Sequence, residues 1–313
     1  MENLLFSANA VSPVFIVMII GWFLKRKEIL PQGFWDGLSK YIFVVATPLL
    51  LFSDTSSVDF SAAFDIKFII TAIGALLATV LIFWIVYPII IKDRVKTGAM
   101  IHCSYRSNFA ILGLPLLKNM LSAVGIAKAE MLLAIGVPVF NTVAVLCLAY
   151  WSDSSGNYKK MVMNIVKNPL IIGCLSGLLF SLFKIPIPLF CERTITYLGN
   201  TALGLGLLLL GASFEFEKFA KNLKQALSAS FAKLVFSPFF GIIVSYLLGF
   251  RGEELLIVLV YLGSSTAVNS YVMAKEMKSD AELTSGIVVC TTGLSILTLF
   301  VGIFIVKTFL MQG

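Results

Sequence analysis

The sequence predicts an all-α polytopic membrane protein of ten transmembrane helices, arranged as two inverted five-helix repeats. Three observations carry that prediction. The 313 residues are 58% hydrophobic and only 13% charged, too little polar surface to cover a soluble core of this size. The apolar residues fall in long continuous runs of about 20 residues, the length a helix needs to cross a bilayer, rather than in the alternating ten-residue segments of a barrel. The two halves of the chain can also be laid on each other at a nearly constant offset.

Taken in order, the apolar runs cover 8 to 24, 38 to 55, 66 to 91, 97 to 121, 126 to 151, 163 to 183, 195 to 214, 225 to 249, 254 to 275 and 282 to 308. The first has no basic residues ahead of it, and Lys25, Arg26 and Lys27 follow it. It therefore reads as an uncleaved span that starts outside. The net charge of +7 is a topology signal and does not point to nucleic acid. The basic residues gather after odd-numbered spans, at Lys25 to Lys27 and Lys40, at Lys92, Arg94 and Lys96, at Lys159, Lys160 and Lys167, at Lys218, Lys221 and Lys224, and at Lys275 and Lys278. By the positive-inside rule those loops are cytoplasmic and both termini lie outside.

Residues 39 to 60 lie without gaps on 195 to 216, pairing Tyr41 with Tyr197 and Ala46 with Ala202 at an offset of 156, with Asp59 opposite Glu215. Pro13 meets Pro169 and Gly21 meets Gly177 at the same offset; further on, an offset of 157 pairs Arg94 with Arg251, Lys118 with Lys275 and Ser122 with Ser279. This divides the chain into a first repeat, 1–156, and a second, 157–313. An odd number of spans in each half inverts the second half, the mark of secondary transporters that bind substrate near the midplane where the repeats meet.

Span 4 contains "RSNFAILGLP" (106 to 115) and the matching part of span 9 contains "GSSTAVNSY" (263 to 271). Gly113 and Pro115 predict a break in the middle of span 4, because Pro115 has no N–H to donate and Gly113 no side chain to hold the helix. Ser264, Ser265, Thr266, Asn269 and Ser270 make span 9 unusually polar. Interrupted helices at equivalent places in two halves point to a binding site; the competing reading is hydrogen-bonding glue between helices. Arg106 would pair there with a bound anion, or snorkel, or cap carbonyls of the broken helix. Since the Asp and Glu residues lie in loops or near span ends, the donors favour an anion over a metal cation. Asn108 and Asn141 join the candidate set, Asn141 because span 5 follows the broken span directly. Lys233 is expected to snorkel, and His102 to sit at an interface.

The five cysteines show no metal-binding spacing and read as apolar packing residues. With a single histidine and no HExxH motif, a membrane enzyme lacks its nucleophile, base or metal set, and no cofactor or metal is implied.

The runs "RSNFAILGLPLL", "GVPVFNTVAVL", "LGNTALGLGLLLLGASFEF" and "STAVNSYVMAKEMKSDAELTSGIVVCTTGLSILTLF" resemble the auxin efflux carrier family and its bacterial permeases over essentially the whole chain. The resemblance implies broken helices 4 and 9 that cross near the substrate, and an elevator mechanism. Helices 1, 2, 6 and 7 would be a scaffold, often a homodimer interface, and helices 3 to 5 and 8 to 10 a moving transport domain. The short loop "SDSSGNYKKMVMN" is like that of bacterial members. The implied substrates are small organic anions such as mono- or dicarboxylates, carried across the bacterial inner (plasma) membrane, with a proton or sodium ion as coupling ion. The family commonly has proline near Ser265, so this chain departs from the pattern there. A sodium- or proton-coupled cation carrier and a ligand-binding sensor are the alternatives.

Overall fold

The computed structural model describes residues 2–57, 65–151, 163 and 165–310, with side chains from Ser12 onward except that of Phe309. The predicted short loop 152–164, apart from residue 163, and the predicted pairing of Asp59 lie outside the described residues.

The described chain is helical throughout: α1 (Glu2–Arg26), α2 (Gln32–Ser56), α3 (Ile66–Ile90), α4 (Arg94–Tyr105), α5 (Phe109–Lys118), α6 (Ala123–Trp151), α7 (Pro169–Leu182), α8 (Leu189–Ser213), α9 (Phe216–Lys221), α10 (Leu223–Leu247), α11 (Glu253–Gly263), α12 (Asn269–Glu276) and α13 (Ala281–Thr308). Among the described residues, six of these, α2, α3, α6, α8, α10 and α13, are long and apolar enough to cross a membrane. The helices α4 with α5, and α11 with α12, occupy predicted spans 4 and 9, each divided by a few extended residues.

Four of the helix starts, those of α3, α4, α7 and α13, are capped by their own sequence. Asp65 accepts from Phe68 N at 3.0 Å, Asp93 from Val95 N at 3.0 Å, Asn168 from Leu170 N at 2.9 Å and Asp280 from Leu283 N at 2.8 Å. Each satisfies amides that a helix start leaves unpaired.

Three prolines inside apolar helices, Pro48, Pro115 and Pro238, each follow a π-helical turn, at Ile42–Ala46, Phe109–Gly113 and Ala232–Phe236. The wider turn takes up the missing N–H and the ring clash that proline would otherwise impose on the preceding carbonyl. This corrects the expected break at Gly113 and Pro115. The helix runs through Pro115, and the interruption lies upstream, at Arg106 to Asn108.

The largest core is built from α3, α4, α6, α10, α11 and α13, with Phe68, Met100, Leu132, Phe140, Leu256, Val260 and Leu283 inside it. Every residue from Leu255 to Gly263 of α11 is buried, as is every one from Thr97 to Tyr105 of α4. Helices enclosed on all sides see protein and not lipid. Two smaller clusters join α1, α2, α7 and α8 to one another and to α6, α12 and α13. Within them α1 meets α8 where a Cβ on Gly21 would strike Leu208 and one on Gly211 would strike Met18. Likewise α7 meets α2 where Gly173 abuts Pro48 and Gly177 abuts Phe52 and Thr55. Small residues let backbones approach closely where lipid gives no hydrophobic drive.

Candidate functional site

Helix α4 ends because Arg106 takes an extended conformation (φ −65°, ψ 122°), after its N–H has made a last helical bond to His102 O at 3.2 Å. Helix α11 ends the same way at Ser264 (φ −62°, ψ 154°). The two extended segments cross and pair antiparallel: Ser107 bridges Thr266, and Asn108 N donates to Ser265 O at 2.8 Å. Further bonds anchor the crossing to its surroundings. Thr266 N donates to Thr291 Oγ1 at 3.1 Å, and Thr266 Oγ1 donates to Cys103 O at 2.8 Å. Irregular backbone deep in a membrane protein persists only when its polar groups are met in this way.

Four helix ends converge here, two C-terminal and two N-terminal. The C-terminal pair shares one cation. Lys233, fully buried in the π-helical turn of α10, donates from Nζ to Tyr105 O of α4 at 3.2 Å and to Leu262 O of α11 at 2.5 Å. Its ammonium thus neutralises the negative ends of both half-helices. The expectation that Lys233 snorkels is corrected: its side chain is fully buried and its ammonium is held by the carbonyl ends of two helices.

The N-terminal pair has no such side-chain partner, and at α12 Ser270 N and Tyr271 N turn back onto Ala267 O at 2.9 Å and Val268 O at 3.1 Å. Neither Asn108, ahead of α5, nor Val268, ahead of α12, makes a side-chain cap bond. Beside them Arg106, only 5% exposed, donates from Nη2 to Asn141 Oδ1 at 2.8 Å and from Nη1 to Phe140 O at 3.4 Å. Asn141 Nδ2 in turn donates to Val137 O at 2.8 Å, which fixes its oxygen toward Arg106. Arg106 and Asn141, paired in the expectation only as candidates, are in direct contact. Arg106 neither snorkels nor meets a carboxylate, and no carboxylate bonds to residues 106–108 or 264–269 among the described residues.

Buried polar atoms without a hydrogen-bond partner cluster at the crossing: Arg106 Nε, Ser107 Oγ, Ser265 Oγ, Asn269 Oδ1 and Ser270 Oγ. Buried polar groups are almost always paired, so a cluster of this kind marks a place for a ligand or water. Ser264 differs, since its Oγ donates to Val260 O at 2.6 Å and serves its own helix. Gly113 sits where a Cβ would come within 2.9 Å of Phe109, Ser264 and Val260, so it permits α5 to lie against α11. His102 is fully buried with neither ring nitrogen partnered, which corrects its expected place at an interface: α4 is enclosed along its whole second half.

Sequence reasoning missed Lys233, Ser107 and Thr291 as members of the site. Lys233 carried one signal, its place five residues before Pro238 inside an apolar run. Among the described residues no group of three or more His, Cys, Asp or Glu is placed to hold a metal ion.

A solved structure of the sodium proton antiporter MjNhaP1 from Methanocaldococcus jannaschii has a similar fold, with a TM-score of 0.64, 13% identity and 96% of each chain covered. An uncharacterized transporter of Methanothermobacter thermautotrophicus is 25% identical over 94% of this chain and 96% of its own length. Another, of Methanocaldococcus jannaschii, is 26% identical over 93% and 96%. The model of the membrane transport protein family matches residues 6–303. The chain is therefore a multi-pass membrane transporter of the membrane transport protein family, the auxin efflux carrier family that its sequence resembles.

Proposed function

We propose that the protein is a secondary transporter of small organic anions, mono- or dicarboxylates, that binds them at the crossing of the two broken helices. The observation that carries this reading is the imbalance of charge there. Lys233 answers both negative helix ends, whereas the two positive ends and Arg106 have no anionic counterpart among the described residues. A carboxylate would complete the set, accepting from the first amides of α5 and from the side chains of Asn108, Ser107, Ser265 and Ser270.

The same proposal includes ten membrane crossings in two inverted halves with both termini outside, in the inner membrane. Equivalent residues in equivalent contacts support the repeat. Gly21 abuts Leu208 while Gly177 abuts Phe52, and both the glycines and their partners stand 156 apart. Asn108 and Ser265, which hydrogen-bond at the crossing, stand 157 apart, as partners on a pseudo-twofold axis would. In this arrangement α3–α6 and α9–α13 move as one body against α1, α2, α7 and α8, an elevator. That the largest core lies wholly within the first set supports the division.

The test is uptake of radiolabelled mono- and dicarboxylates into proteoliposomes under imposed proton or sodium gradients. Saturable uptake of at least one acid is expected, and the gradient that drives it identifies the coupling ion. Flux of a cation that no organic acid affects would instead establish a cation carrier.

A further inference from the structure

We propose that the groove between α1, α8, α9 and α13 holds one acyl chain of an anionic phospholipid, whose phosphate sits on Arg26. The groove encloses about 430 Å³, and its lining is entirely apolar. Phe15, Met18, Ile19 and Trp22 face it from α1, spaced as one stripe of a helix. Gly211, Phe214, Phe216, Phe219 and Val289 complete the lining. Ile19 is 62% exposed, so the groove opens sideways to the surroundings of the helices. A surface without polar atoms rejects water and polar solutes, and in a membrane its natural occupant is a hydrocarbon chain.

The charge at the mouth selects the headgroup. Trp22 carries Arg26 over its ring at 5.3 Å, one turn beyond the groove at the basic end of α1. Arg26 makes no ion pair among the described residues, and Lys25 and Lys27 flank it. On the α9 and α13 side, the carboxylates Glu215 and Glu282 are held by Lys218, at 3.2 and 2.6 Å. Lys25 acts on Asp36 and Glu28 follows Lys27, which leaves a net positive charge around Arg26, the sign that a phospholipid phosphate would answer. The lining comes from α1 and α8, from the link that follows α8, and from α9 and α13. A resident chain would therefore fill the seam between the two proposed bodies. That consequence rests on the elevator reading; the binding itself does not.

The test uses vesicles of phosphatidylcholine containing brominated phosphatidylglycerol or brominated phosphatidylcholine, with tryptophan fluorescence of the full chain compared between wild type and Trp22→Phe. The Trp22-dependent emission should be quenched at about a fivefold lower mole fraction of the anionic lipid than of the zwitterionic one, the preference one basic residue confers. Arg26→Gln should remove that preference while leaving quenching by both lipids, and Val289→Phe, which fills the groove, should reduce quenching by both. Equal quenching by the two lipids in the wild type would overturn the headgroup assignment. Quenching no greater in wild type than in Trp22→Phe would overturn the site altogether, as expected if a second copy of the chain covers the groove.

Discussion

Lys233 is the residue on which the crossing depends. A buried ammonium is costly unless its hydrogen bonds are met, and here its partners are the last carbonyls of two different half-helices. Lys233→Met keeps the stem and removes the charge, so both helix ends lose their counterion. Two hydrogen bonds to a charged group contribute roughly 1.5–3 kcal/mol each, the desolvation cost of the buried ammonium offsets part of that, and we expect a net loss of about 2–4 kcal/mol in unfolding experiments in detergent. An unchanged unfolding midpoint would mean that the lysine is a passenger. Its role was not legible in the sequence, because an isolated lysine in an apolar run looks the same whether it reaches an interface or a pair of carbonyls. Arg106, Asn108 and Asn141 were legible as polar residues in a costly place. The Arg106–Asn141 bond was not, since it depends on how α6 turns against α4.

At the scale of elements, the polar run "RSN" and its counterpart "GSST" mark the breaks, whereas proline, the usual signal, misleads. A π-helical turn absorbs Pro115, and Gly113 serves close packing of α5 on α11. Gly113→Ala would bring a methyl group to 2.6 Å from Phe109 and 2.8 Å from Ser264 Oγ, so we expect about 1–3 kcal/mol of destabilisation by overpacking, measurable as a lower thermal midpoint. The start of α3 gives a prediction for pH. The Lys128 ammonium at 2.9 Å, helped by Phe68 N, holds the Asp65 carboxyl below the ordinary carboxylate range. A group whose pKa is lower in the folded state contributes stability above its unfolded value, about 3.9, and that contribution is lost as pH falls through the folded value. Acid titration should therefore destabilise wild type more steeply below about pH 4 than it does Asp65→Asn. Parallel pH profiles would contradict the pairing.

At the scale of the whole molecule, composition and the long continuous apolar runs were enough for the all-helical membrane class; the nearly constant offset paired Gly21 with Gly177, and each packs against the backbone of a neighbouring helix. Where the two proposed bodies touch was not legible, because it depends on contacts between residues far apart in sequence. The tip of α12 is one such place: Lys275 pairs with Asp36 at 3.1 Å, and Ser39 donates to Glu276. If α12 moves against α2 during transport, a short thiol-reactive cross-linker between Asp36→Cys and Lys275→Cys should halt flux, and flux that persists in fully cross-linked protein would exclude that movement.

Binding of an organic anion at the crossing is tested most directly by counterflow of a labelled carboxylate in proteoliposomes, wild type beside Asn108→Ala. Wild type should exchange the acid saturably, and the variant, folded and inserted to the same extent, should lose at least about 90% of that exchange, the tenfold effect of one lost interaction of about 1.4 kcal/mol. Equal exchange by the two proteins would contradict the account, since the substrate would then be bound somewhere other than the crossing.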